Sequence, residues 1–80
     1  MEQEEILSGV LESIPPHILS KEEKKDITLQ TSFTVLGFDS VDTVEVVSYA
    51  EKKFKVGFTE IEAQNIKDFE GLVLLVKKYL

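Results

Sequence analysis

An all-α bundle is the fold that this sequence predicts, with three longer helices and one short one. Three observations point to it. Apolar residues recur every third or fourth position in three separate segments, the spacing that lines one face of a helix. Residues suited to capping a helix start, namely Asp39 or Ser40, Thr59 and Asp68, stand just ahead of helical segments. No segment alternates apolar and polar residues as a half-buried strand would.

The first helix is expected from about Glu2 to Ile14. Ile6, Leu7, Val10, Leu11 and Ile14 share its inner face, and Glu2, Glu4 and Glu5 suit the positive end of its dipole. Pro15-Pro16 ends it, because a proline disfavours helical geometry in the residue before it. His17 is read as a loop residue just past the helix end. Ser20-Lys21-Glu22-Glu23 has the form of a capping box for a short helical turn, but the stretch is assigned to a long loop. Ile18, Leu19, Ile27, Leu29, Phe33 and Leu36 are too frequent for a free linker and too irregular for one helix. They are expected to pin this connection to the core.

Gly37 makes a turn that runs straight into the central helix, which extends from Ser40 to Phe54. Asp39 and Ser40 compete for its cap, and the local sequence does not decide between them. Thr43, Val46, Val47, Ala50 and Phe54 share one face, expected to be core. Ser40, Val41, Val44, Glu45, Ser48, Glu51 and Lys52 occupy a different arc, more apolar at its start than a solvated face requires. Lys55 to Thr59 form a turn, and Thr59 caps a short helix through Glu60 to Gln64, with Glu62 completing a capping box. Asp68 caps the last helix, whose inner stripe reads Phe69, Leu72, Val73, Val76 and Leu80.

Composition narrows the function. Eighty residues are expected to form one domain, 1–80, with a modest core. Cysteine is absent, so disulfides and thiolate metal sites are excluded. A net charge of −6 argues against nucleic acid and suits docking on basic surfaces. The longest apolar run, Leu72 to Val76, falls far short of the roughly 20 residues of a membrane span. The acidic start Met1-Glu2-Gln3-Glu4-Glu5 reads as neither a signal nor a transit peptide, so a cytoplasmic monomer is expected.

Ser40 is the residue with chemistry to explain. Nucleophilic catalysis needs a base within hydrogen-bond reach, and the single histidine lies far upstream at His17. Ser40 is therefore read as the substrate of another enzyme, and the chain as a non-enzyme. A helix start favours negatively charged groups, because its first amides lack carbonyl partners and the dipole is positive there. Asp39, Asp42 and Glu45 lack the oxygen-rich loop of a calcium site, and no metal is assigned to them.

Leu36-Gly37-x-Asp39-Ser40, followed by Asp42-x-Val44-Glu45 and Phe54 at the helix end, resembles the acyl carrier proteins. The resemblance covers most of the chain and includes a long loop after the first helix and a short third helix. It implies an acyl-carrier-protein-like four-helix bundle with Ser40 attached to 4'-phosphopantetheine, the arm that holds acyl groups as thioesters. It also implies a phosphopantetheinyl transferase and acyl-transferring and chain-elongating enzymes as partners, in fatty acid or related polyketide biosynthesis. Asp39, Val41, Asp42, Val44 and Glu45 would be what those partners read. A D-alanyl carrier shares the fold and the Asp-Ser pair. The rival from another class is a helical adaptor that binds through Ser40, Val41 and Val44 and bears no prosthetic group.

The sequence departs from the family pattern in several places. Val41 replaces the usual Leu after the serine, and Val35 stands where an acid is common. Lys52, Lys53 and Lys55 make the second half of the central helix basic, and Lys55 also occupies the usual turn glycine. Tyr49-Ala50 replaces Ala-Leu, so that Ala50 either leaves room for a bound chain or is compensated by Phe38 and Phe58.

Overall fold

A computed structural model describes residues 1–80. Its helices are α1 (Gln3–Ser13), α2 (Lys21–Lys25), α3 (Ser40–Phe54), α4 (Glu60–Gln64) and α5 (Phe69–Tyr79). The three longer helices and short α4 stand where the periodicity and caps place them. The short helix α2 is a correction, since the sequence pattern assigned it to the loop. Its capping box prevails: Glu23 N donates to Ser20 Oγ at 3.1 Å, and Ser20 N donates to Glu23 Oε1 at 2.9 Å. No residue of α2 is buried, so it lacks the apolar stripe by which helices are usually recognised. Lys24 Nζ, donating to the Ile14 carbonyl, ties it to the end of α1.

α1 packs against both α3 and α5. Ile6, Leu7 and Val10 of α1 meet Val46, Val47 and Ala50 of α3 and Phe69, Leu72, Val73 and Val76 of α5 in one buried cluster. Burial of such side chains is the main favourable term in a domain this small. Leu80 departs from the expected stripe: it follows the last turn of α5 and stays exposed. Phe54 and Thr43 are half-buried rather than enclosed.

The long connection is pinned as its composition suggests. Leu19, Ile27 and Phe33 are buried, and Ile18, Leu29 and Leu36 pack against the cluster. Backbone bonds fasten it to the start of α5: Phe33 N donates to Lys67 O at 3.0 Å, Phe69 N to Thr31 O at 3.2 Å and Glu70 N to Leu29 O at 2.9 Å. Phe33 stands edge-on to Phe69, ring centres 4.9 Å apart, an arrangement the aromatic quadrupole favours. The end of the loop is thereby held in place, and with it the entry to α3. No helix is long and apolar enough to cross a membrane.

Candidate functional site

The site is built from the turn upward. Gly37 adopts φ +77°, a left-handed geometry in which a side chain would be strained. Its amide donates to Thr34 O at 3.0 Å, and Phe38 N donates to Phe33 O at 3.0 Å. Phe38 leans on Phe33, with ring centres 5.7 Å apart. These contacts deliver Asp39 to the mouth of α3.

Asp39 is the cap. Asp42 N donates to Asp39 Oδ1 at 2.9 Å, and Asp39 N donates to Asp42 Oδ2 at 3.2 Å, a reciprocal capping box. Thr43 Oγ1 adds a bond to Asp39 O at 3.0 Å. The competition left open by the sequence is thus resolved in favour of the aspartate. Ser40 becomes the first helical residue, exposed, with its hydroxyl outside the capping bonds. The amides of Ser40 and Val41 have no carbonyl partner, as is normal for a first turn.

Around Ser40 the structure gathers the other predicted residues in two ways. Val41 and Val44 are 62% and 63% exposed, an apolar pair one helical turn apart beside the serine. Asp42 and Glu45 are half-buried and line an open groove of about 320 Å³ with His17, Leu36 and Phe38. His17 therefore belongs to the neighbourhood of these carboxylates and not to the groove that Ser40 lines. Asp39 and Asp42 each direct an oxygen at the other's backbone amide, and no group of three metal-ligating side chains forms.

On its other side Ser40 borders a groove of about 220 Å³ between α3 and α4, lined by Thr43, Val44, Ala63, Gln64 and Ile66. The two alternatives posed by Ala50 meet a single answer. Ala50 is fully buried in the core and lines none of the grooves. Phe58 lies at the far end of α3, its ring centre 5.9 Å from that of Tyr79. Space beside Ser40 comes instead from Ala63, a small residue on α4 that sequence reasoning passed over; its signal was its place between Thr59 and Ile66.

At the opposite end, Lys52 and Lys53 are exposed and complement the negative end of the helix dipole. Lys55 sits at the C-cap with φ 57°, taking up the left-handed geometry usual for glycine there. Glu51 Oε2 accepts from Phe58 N at 2.8 Å and fastens the following turn. Glu62 on α4 is another residue that local patterns under-read. Its carboxylate accepts from Thr59 N at 2.9 Å, Tyr79 Oη at 2.7 Å and Lys78 Nζ at 3.0 Å. The Thr59 amide first, then the Tyr79 hydroxyl and Lys78, hold its pKa down at about 2.

Residues 17–73 match the family model of the phosphopantetheine attachment site. The chain is 40% identical over 62 residues to acyl carrier protein 2, chloroplastic, of Arabidopsis thaliana, covering 78% of this chain and 46% of that protein. It is 37% identical over 60 residues to the acyl carrier protein homolog of Mycoplasmopsis pulmonis, covering 75% and 82% respectively. It is 39% identical over 59 residues to the acyl carrier protein of Phytoplasma australiense, covering 72% and 78%. The chain spans less than half the length of the chloroplastic relatives it matches.

Proposed function

The chain belongs to the acyl carrier protein family, and from that membership we propose that it carries acyl groups as thioesters on a 4'-phosphopantetheine arm attached to Ser40. Phosphopantetheine is the group this family bears. One observation carries the assignment to Ser40: Asp39 takes over the capping, so the serine hydroxyl at the first helical position is exposed and uncommitted. The site fits the group chemically. Unpartnered amides at a positive helix end favour a phosphodiester, and the open approach admits a second protein.

Attachment is the work of a partner transferase using coenzyme A and Mg²⁺. The Ser40 hydroxyl attacks the pantetheine-bearing phosphate of coenzyme A. A new Ser40 O–P bond forms, the diphosphate P–O bond breaks, and adenosine 3',5'-bisphosphate leaves. The serine proton passes to a base of the transferase. When attached, the arm supplies a terminal thiol for thioester formation. The chain's own part is to present the serine, hold the helix mouth rigid through the Asp39–Asp42 box and offer a docking surface. Val41 and Val44 give that surface an apolar centre, and Asp39, Asp42 and Glu45 give it a negative rim for transferases and for acyl-transferring and chain-elongating enzymes.

The test is incubation with coenzyme A and a broad-specificity phosphopantetheinyl transferase, followed by intact-mass analysis. One added group is expected on the wild-type chain and none on Ser40→Ala. Ser40→Ala should remain folded, because the cap is Asp39 and not the substituted residue. Addition to Ser40→Ala would overturn the site. An unmodified wild type would favour an adaptor without a prosthetic group.

A further inference from the structure

Beyond Glu45 the outward face of α3 changes sign, and we propose that Lys52, Lys53 and Lys55 receive an acidic patch of a chain-elongating enzyme whose basic patch meets Asp42 and Glu45. This rests on the carrier reading above. Val46, Val47 and Ala50 turn inward to the core. The opposite stripe of the helix therefore carries Val41, Glu45, Ser48 and Lys52, each three or four residues from the last. Lys52 thus continues the line that begins beside the serine. From Val41 to Lys55 the helix rises about 21 Å. A standard interface takes roughly 800 Å² of each partner, enough to reach both ends.

The lysines are free for such a contact. All three are exposed, and the ion pairs of the chain lie elsewhere, between Lys25 and Glu22 and between Lys78 and Glu62. Glu51, the acid next to them, accepts from Phe58 N at 2.8 Å. Lys52 and Lys53 already complement the negative end of the helix dipole. Lys55 adds a third cation at φ 57°, a geometry that costs a residue with a Cβ and not glycine. The backbone bears that cost for a charge that the fold itself does not pair.

The sign pattern selects the chemistry of the partner. The chain holds 9 basic residues against 15 acids. An extended polyanion, such as an anionic membrane, would meet that excess of acids along with the lysines. A local acidic patch on a protein meets the lysines alone, because exposed charges more than about 8 Å apart are largely screened. A face of one sign admits α3 in either direction; a face of two signs admits only one. The lysines thus fix the direction in which α3 lies on the enzyme, and with it the side from which the arm on Ser40 enters.

The experiment uses a ketosynthase from the same source as the chain. Wild type, Lys52→Glu/Lys53→Glu/Lys55→Glu and Lys55→Gly are each loaded with an acylated arm by a broad-specificity phosphopantetheinyl transferase and checked by intact mass. In elongation the triple variant should show kcat/KM about tenfold lower, through KM with kcat unchanged, and the loss should shrink in about 0.5 M salt. Lys55→Gly should lose about threefold although its Tm rises, a combination that a merely structural lysine does not produce. Wild-type kcat/KM in either variant overturns the inference and leaves the carrier reading intact. A higher value in the triple variant does the same, since it would set the lysines against a basic partner. Binding of the wild type, and not of the triple variant, to phosphatidylglycerol vesicles would assign the lysines to lipid and overturn the inference equally. Failure of the wild type to load overturns the carrier reading, and the docking inference with it.

Discussion

Gly9, in the middle of α1, offers a prediction in which two ordinary effects oppose each other. A glycine-to-alanine change in a helix normally stabilises by about 1 kcal/mol. Here a Cβ would stand 2.6 Å from Phe54 Cζ and 3.3 Å from Phe54 Cε2, well inside the distance of roughly 3.5–4.0 Å at which carbons attract. Overpacking of this kind costs about 1–3 kcal/mol. Phe54 is half-buried, so its ring can retreat towards solvent, which keeps the cost near the middle of that range. Gly9→Ala should therefore destabilise by about 1 kcal/mol net, a fall in Tm of about 4–8 °C for a domain of this size. Urea melts of a double-mutant cycle give the decisive reading. In a Phe54→Ala background the obstacle is gone, and the same alanine should stabilise by about 1 kcal/mol, a coupling of about 2 kcal/mol between the sites. If Gly9→Ala stabilises the wild type as much as it stabilises Phe54→Ala, the close approach of α1 to that ring does not explain the glycine.

Two further expectations concern Lys55 and Glu62. Lys55→Gly should stabilise by about 1 kcal/mol, because the left-handed geometry at φ 57° costs a residue with a Cβ and not glycine; a lower urea midpoint would show that the lysine side chain contributes something the backbone argument omits. Glu62, whose pKa falls from 4.5 to about 2 on folding, contributes stability that is fully present above pH 4.5 and lost as pH falls towards 2. The Tm difference between wild type and Glu62→Gln should accordingly narrow across that interval, and a difference independent of pH would refute the role given to its three donors.

Much of the fold was legible because it is written in short-range patterns. The Thr59–Glu62 box marks α4 from Glu60 to Gln64, Asp68 caps α5, and Pro15 follows the end of α1. Each depends on residues within three or four positions, where side chain and backbone meet whatever the rest of the chain does. The motif around Ser40 is equally local, so the candidate site could be located from residues 36–45 alone. Helix α2 was written in the same code, in Ser20 and Glu23, but without an apolar stripe its box carried too little weight against the loop around it.

What tertiary structure decided lies between residues distant in the chain. The bonds of Phe33, Phe69 and Glu70 join the long loop to the start of α5. Gly9 reads as an ordinary helix glycine until Phe54 is brought against it. Glu62 looks like a capping residue only, until folding carries Tyr79 and Lys78 to its carboxylate. The groove beside Ser40 exists only because α3 and α4 come together there. Caps and periodicity are properties of a few consecutive residues and survive in the sequence as spacing. Close approaches, grooves and shared carboxylates are properties of packing, which depends on where whole helices come to rest.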